Sequence, residues 1–165
     1  MDEIISGFLK NAILHLKKEN IVLPKKAQVS IYHHCGTENF DNTGAVFVNI
    51  INRDYCKSYV VMCAGQHYPI HYHKIKNESF YVLRGELNLS VDGVGYILSP
   101  GEMLHVERGS DHSFWTLTGC VFEEISTMYI PNDSVYLEES IAAKTYNERR
   151  TKLSEDVWEE MIKNA

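Results

Sequence analysis

The chain has 165 residues, 44% of them hydrophobic and 23% charged, which is enough apolar surface for one packed domain and too little charge bias for disorder. Acidic residues outnumber basic ones by 22 to 16, for a formal net charge of -6, and this argues against a nucleic-acid binder with its basic face. No apolar run approaches the ~20 residues of a membrane span, and the acidic start Met1-Asp2-Glu3 is unlike a secretion signal, so a cytoplasmic protein is expected.

In chain order, residues 2–19 are predicted as an amphipathic helix. Ile4, Ile5, Phe8, Leu9, Ala12, Ile13 and Leu16 recur on one face, and Pro24 closes the segment. From 27 to 127 the pattern changes to nine short β-rich runs: 27–33, 45–52, 58–63, 79–83, 87–91, 94–98, 102–106, 113–117 and 120–127. Val91-Asp92-Gly93-Val94 reads as a tight hairpin, because Asp-Gly suits a type I′ turn. This spacing predicts an all-β antiparallel sandwich or small barrel. Pro131-Asn132-Asp133-Ser134 reads as a loop. Residues 154–163 form a closing helix with Val157, Trp158, Met161 and Ile162 on its apolar side. The chain divides into an N-terminal helical extension (1–26), a β-barrel (27–130) and a C-terminal extension with a helix (131–165). Cys35, Cys56, Cys63 and Cys120 are scattered without a C-x-x-C pair and are expected to be buried free thiols.

Five of the eight histidines (His67, His71, His73, His105 and His112) crowd the central stretch. His71 and His73 are two apart, so on an extended strand both imidazoles share a face. Glu78 opens the next apolar run, and an antiparallel partner strand would bring its carboxylate beside them. Two imidazoles and a carboxylate suit Fe(II), Mn(II) or Zn(II). A fourth ligand should come from another strand. His112, which starts a strand after the turn Gly109-Ser110-Asp111, is the natural candidate. His105 competes, but it lies between Leu104 and Val106, and it faces outward if they face the core. His67 sits in a loop without an obvious partner.

Two further features adjoin this cluster. Lys76 stands two residues before Glu78, where an ammonium could stabilise an oxyanion or donate a proton, or could simply be a solvated loop lysine. Glu123 and Glu124 are consecutive acids inside an apolar strand, so one faces the interior. There it is either a general base or a structural partner of Lys76 or Arg108.

Gly65–Gly85 matches the first cupin motif, G-x5-H-x-H-x4-E-x6-G, at every position. Pro100-Gly101 with His112 resembles the second motif, with Trp115, Thr116 and Leu117 where an asparagine is usual. The chain thus resembles the cupins over about 45–127. The resemblance implies a jelly-roll β-barrel holding one divalent metal ion through His71, His73, Glu78 and His112. Within the cupins, His71-x-His73-x-x-Lys76-x-Glu78 followed by Glu124-Ile125-Ser126-Thr127 resembles the sugar isomerases of the D-lyxose isomerase type. That resemblance implies aldose–ketose interconversion on a divalent metal, commonly manganese. Glu124 would move the proton between C2 and C1, and Lys76 would steady the oxygen. An iron dioxygenase and a non-catalytic sugar-binding module are the alternatives. The net charge favours neutral sugars over phosphorylated ones, with Lys74, Lys76, Arg84 and Arg108 as a local basic exception. A homodimer is expected, its seam formed by the stripe of residues 4–16 and the Trp158 helix.

Overall fold

The computed structural model describes residues 3–164. Met1, Asp2 and Ala165, the extreme ends of the two predicted extensions, lie outside the described residues. The chain opens with α1 (Glu3–Lys18). The strands that follow are β1 (Gln28–Tyr32), β2 (Ala45–Asn52), β3 (Tyr55–Met62), β4 (His67–His73), β5 (Glu78–Gly85), β6 (Leu87–Val91), β7 (Val94–Leu98), β8 (Met103–Val106), β9 (His112–Trp115) and β10 (Cys120–Thr127). The C-terminal part adds β11 (Ser134–Tyr136), the short α2 (Glu139–Ala142), β12 (Arg150–Leu153) and α3 (Glu155–Asn164).

The strands form two antiparallel sheets. A seven-stranded sheet runs β12-β1-β2-β3-β10-β5-β8, and a five-stranded sheet runs β11-β4-β9-β6-β7. Their inner faces close on one core, to which the larger sheet gives Phe80, Val82 and Phe122 and the smaller gives Leu87, Leu89 and Phe114. A second core lies on the outer face of the larger sheet. There Leu9, Ile13 and Leu16 of α1 and Trp158 of α3 pack on Val29, Ile31, Val48 and Val121. Each large apolar side chain buried in this way contributes roughly 1.5–3 kcal/mol, which is what holds the helices to the sheet.

This second core corrects the predicted dimer seam. Most of the α1 stripe and Trp158 are buried within one chain, with Leu9, Ile13, Leu16 and Trp158 all at 0% exposure, while Ile4 at the start of the stripe is exposed. The segment predicted as a C-terminal extension of the one β domain also contributes strands to both sheets. β11 pairs with β4, and β12 pairs with β1, so the segment after residue 130 supplies an outer strand to each sheet. Of the four thiols only Cys120 is fully buried, and Cys63 is exposed.

Alternation decides what enters the barrel. Along β10, Cys120 and Phe122 face the inner core while Val121 faces the helices, so Glu124 and Ser126 continue inward. The same period turns Gln28, Ser30 and Tyr32 of β1, Asn49 of β2 and Ser58 of β3 into the barrel. The inner face is therefore apolar at one end and polar at the other. The Asp-Gly hairpin forms as expected, with Asp92 and Gly93 both at positive φ (48° and 79°).

β4 has no counterpart among the nine predicted runs. It contains Pro69, which cannot donate to a ladder, and its register against β9 shifts between Tyr68 and His71. The irregularity lets Tyr68 and His71, three residues apart, both face inward.

Candidate metal centre

The four predicted ligands come together. One ligand atom from each of His71, His73, Glu78 and His112 lies within 4.8 Å of the others, and all four side chains are buried. Ladder pairing sets His71 of β4 directly opposite His112 of β9. Glu78 arrives differently from the expectation. β5 is not a ladder partner of β4 but belongs to the larger sheet, so the carboxylate reaches across the barrel to the three imidazoles. Its Oε1 lies 3.2 Å from His73 Nε2 and its Oε2 lies 3.2 Å from His112 Nε2.

The donor set fits a metal ion. His71 Nδ1 lies 2.9 Å from the Pro69 carbonyl, and His112 Nδ1 lies 3.0 Å from the Ser110 carbonyl. A carbonyl only accepts, so both Nδ1 atoms carry hydrogen, and in the neutral imidazole the lone pair is on Nε2. His73 Nδ1 is held in the same way, 3.4 Å from Ser134 Oγ and 3.6 Å from Asp133 Oδ2. Outer partners of this kind fix the tautomer and aim of metal-binding histidines. His112 Nε2 is buried with the Glu78 carboxylate beside it at 3.2 Å, and once the imidazole is neutral its lone pair is available to an ion.

Charge within the cluster is uneven. Burial, reinforced by His112 and His73, holds His71 well below the usual imidazole range. Burial also lowers His73, against the pull of Glu78. Burial disfavours His112 as a cation, but the hydrogen bond to Glu78 outweighs it and the net direction is up. Burial raises the Glu78 carboxyl, yet Lys76 and His73 overcome this and hold it well below the ordinary carboxylate range.

Lys76 and Glu124 stand beside this cluster. The Lys76 ammonium pairs with Glu78 Oε1 and lies 3.4 Å from Glu124 Oε1, so the lysine points inward and not into solvent. Burial works against the Lys76 charge, but Glu124 and Glu78 hold its pKa above the usual value. Burial and the nearby Glu78 push Glu124 up to about 7, with Lys76 opposing. Glu123 faces outward and pairs with Lys57 at 2.7 Å. His105 is exposed beside Ser79, whose hydroxyl is 2.7 Å from its Nδ1, and His67 is likewise exposed.

Several residues at the site had no sequence signal beyond a turn or an isolated polar position. Asp133, in the predicted loop, is buried and accepts the backbone N–H groups of Ile75 and Lys76 at 3.0 and 3.1 Å. It thereby fixes the loop that carries Lys76. His34 is buried behind the cluster with its Nε2 2.8 Å from the Tyr136 hydroxyl, and Tyr136 stacks on His71. Burial, with Arg149 nearby, pushes His34 down to about 3, so it is neutral. Residues from β1, β2, β3, β10 and the C-terminal part line a cleft of about 840 Å³, including its open mouth, that leads to the cluster.

Residues 58–122 match the family model of the cupin domain. The barrel has the jelly-roll architecture of the cupin fold. The structure superposes on L-ribose isomerase from Geodermatophilus obscurus with a TM-score of 0.71 and 13% identity, covering 86% of this chain and 94% of that one. It superposes on the L-ribose isomerase of Cellulomonas parahominis, crystallised with L-ribose, with a TM-score of 0.69 and 14% identity, covering 87% and 95%. At such identities the likeness is one of fold. In sequence, 50 residues are 38% identical to quercetin 2,3-dioxygenase from Bacillus subtilis, covering 30% of this chain and only 15% of that curated relative's length.

Proposed function

We propose that this protein is a metal-dependent aldose–ketose isomerase. The observation that carries the reading is the convergence of Glu124 and Lys76 on the four-residue cluster at the end of one cleft. His71, His73, Glu78 and His112 would hold a divalent ion, with manganese the first to test and zinc and iron next. Such an ion, when bound, polarises oxygens of a sugar and acidifies the neighbouring C–H.

The chain's own groups supply the rest. Glu124 takes the proton from C2 of the aldose and returns it to C1 of the enediol. A proton passes from O2 to O1, so the ketose is an isomer with no atom gained or lost. Lys76, already beside both carboxylates, hydrogen-bonds the oxygen that carries negative charge in passing. A carboxyl near pH 7 suits a group that must both accept and give a proton at neutral pH. The inner row Ser58, Asn49, Ser30 and Gln28 offers hydroxyls and amides to a polyhydroxylated substrate.

The test is deuterium incorporation from heavy water at C2 of pentoses and hexoses, together with metal analysis of the purified protein. Exchange that depends on manganese or zinc is expected. Iron with oxygen consumption and no exchange would replace the isomerase by a dioxygenase. Sugar binding without exchange would leave a binding module.

A further inference from the structure

The charge of the cleft does not follow the charge of the chain. Its lining carries three cations, Lys76, Arg150 and Lys152, against two carboxylates, Glu78 and Glu124, although the chain as a whole stands at -6. Lys76 is engaged by both carboxylates. Arg150 is not. Among the described residues no carboxylate stands within ion-pair distance of its guanidinium.

Arg150 is only 9% exposed. Its Nη1 donates to Ser30 Oγ at 3.4 Å and its Nη2 to the Tyr129 hydroxyl at 3.5 Å, both long bonds to neutral acceptors. Its Nε is buried and makes no hydrogen bond. The guanidinium lies 3.5 Å from the centroid of the Tyr146 ring, and this stacking fixes its plane. A buried charge whose acceptors are all neutral, the hydroxyls of Ser30, Tyr129 and Tyr32, is costly unless an anion completes it.

Its place in the fold aims it at the site. Ladder pairing sets Arg150 opposite Tyr32 and Lys152 opposite Ser30, so both cations share the inner face of β12. The Tyr32 hydroxyl is within electrostatic reach of Arg150, Lys76 and Glu124 alike. A continuous polar track joins the two ends. Ser58 stands opposite Glu124 in the ladder and donates to Asn49 Oδ1 at 2.9 Å. Asn49 Nδ2 reaches Ser30 Oγ at 3.4 Å, and Ser30 Oγ accepts from Arg150.

We propose that Arg150, backed by Lys152, is an anion subsite for the end of the substrate remote from the metal cluster, so that the sugar taken here carries a terminal carboxylate or phosphate. This rests on the isomerase reading for which end of the sugar meets the metal, and it reverses the preference for neutral sugars drawn from the net charge. A guanidinium suits either oxyanion, since its donors match both geometries.

The test is calorimetric binding to the manganese-loaded protein of two matched pairs, D-ribose with D-ribose 5-phosphate and D-glucose with D-glucuronate. In at least one pair the anionic member is expected to bind about tenfold tighter or more, and the pair that shows this assigns phosphate or carboxylate. Equal affinities within both pairs would overturn the proposal without recourse to any variant. Arg150→Gln should abolish the preference and Lys152→Gln should reduce it. A preference surviving in folded Arg150→Gln protein would also overturn it. Deuterium exchange on the same sugars keeps the two readings apart. Exchange without anionic preference removes the subsite and leaves the isomerase, whereas anionic preference without exchange removes the isomerase and leaves the subsite.

Discussion

Glu124→Gln should make this protein both more stable and inactive. The carboxyl faces the barrel interior, and burial together with Glu78 raises it from the ordinary 4.5 to about 7. A carboxyl raised on folding binds more protons in the folded state than in the unfolded state between those values. Its contribution therefore turns against folding as pH rises through that window, fully so above about pH 7 and not at all below about pH 4.5. At about 1.36 kcal/mol per pH unit, the cost at pH 8 is up to about 3 kcal/mol in the metal-free protein. Glutamine has the shape of the protonated acid and cannot ionise, so the substitution removes that cost. Urea unfolding of metal-free wild type and variant at pH 5 and pH 8 reads it. The variant should gain clearly at pH 8 and little at pH 5. Isotope exchange in the metal-loaded variant should fall by roughly 10²–10⁴-fold, the usual worth of a general base, with metal content unchanged. A variant no more stabilised at pH 8 than at pH 5 would refute the burial argument, and undiminished exchange would remove Glu124 from the mechanism.

Other outcomes follow from the same structure. His112 is raised above its ordinary value in the absence of metal, so an incoming ion must displace a proton there. Metal affinity should climb about tenfold per pH unit at pH values below the His112 pKa and then level off; calorimetric zinc titrations with no dependence between pH 5.5 and 8 would contradict this. Asp133→Ala removes the acid beside His73 and the clamp on Ile75 and Lys76, and should weaken metal binding by roughly 10–100-fold in equilibrium dialysis. Trp158→Ala empties a fully buried site and breaks the 2.8 Å bond from Nε1 to the Pro24 carbonyl. A loss of roughly 3–5 kcal/mol is expected by denaturant unfolding. We also propose a homodimer that uses a surface other than the helical stripe, and a monomeric mass by light scattering would refute it.

Most of the barrel could be read from local patterns. The runs 45–52, 87–91, 94–98 and 120–127 coincide with β2, β6, β7 and β10, because alternation and turn chemistry are properties of adjacent residues. β4 is missing from the runs because Pro69 and a shifted register break its alternation. β11 and β12 are short and polar, and only their pairing with β4 and β1 makes them strands. The dimer seam was misassigned because an apolar helical stripe shows that a face is buried without showing against what.

The candidate site divides in the same way. That His71 and His73 share one strand face is a matter of strand period, and the sequence determined it alone. Which of two adjacent acids enters the barrel depends on the phase of β10 against β3 and β5. That phase turned Glu124 toward Lys76 and Glu123 toward Lys57. The crossing of Glu78 from the opposite sheet, the outer contact of Asp133 with His73, and the unpaired charge of Arg150 all join residues far apart in the chain. Only tertiary structure decided them, because strand periodicity specifies which way a side chain points but not which distant strand it will meet.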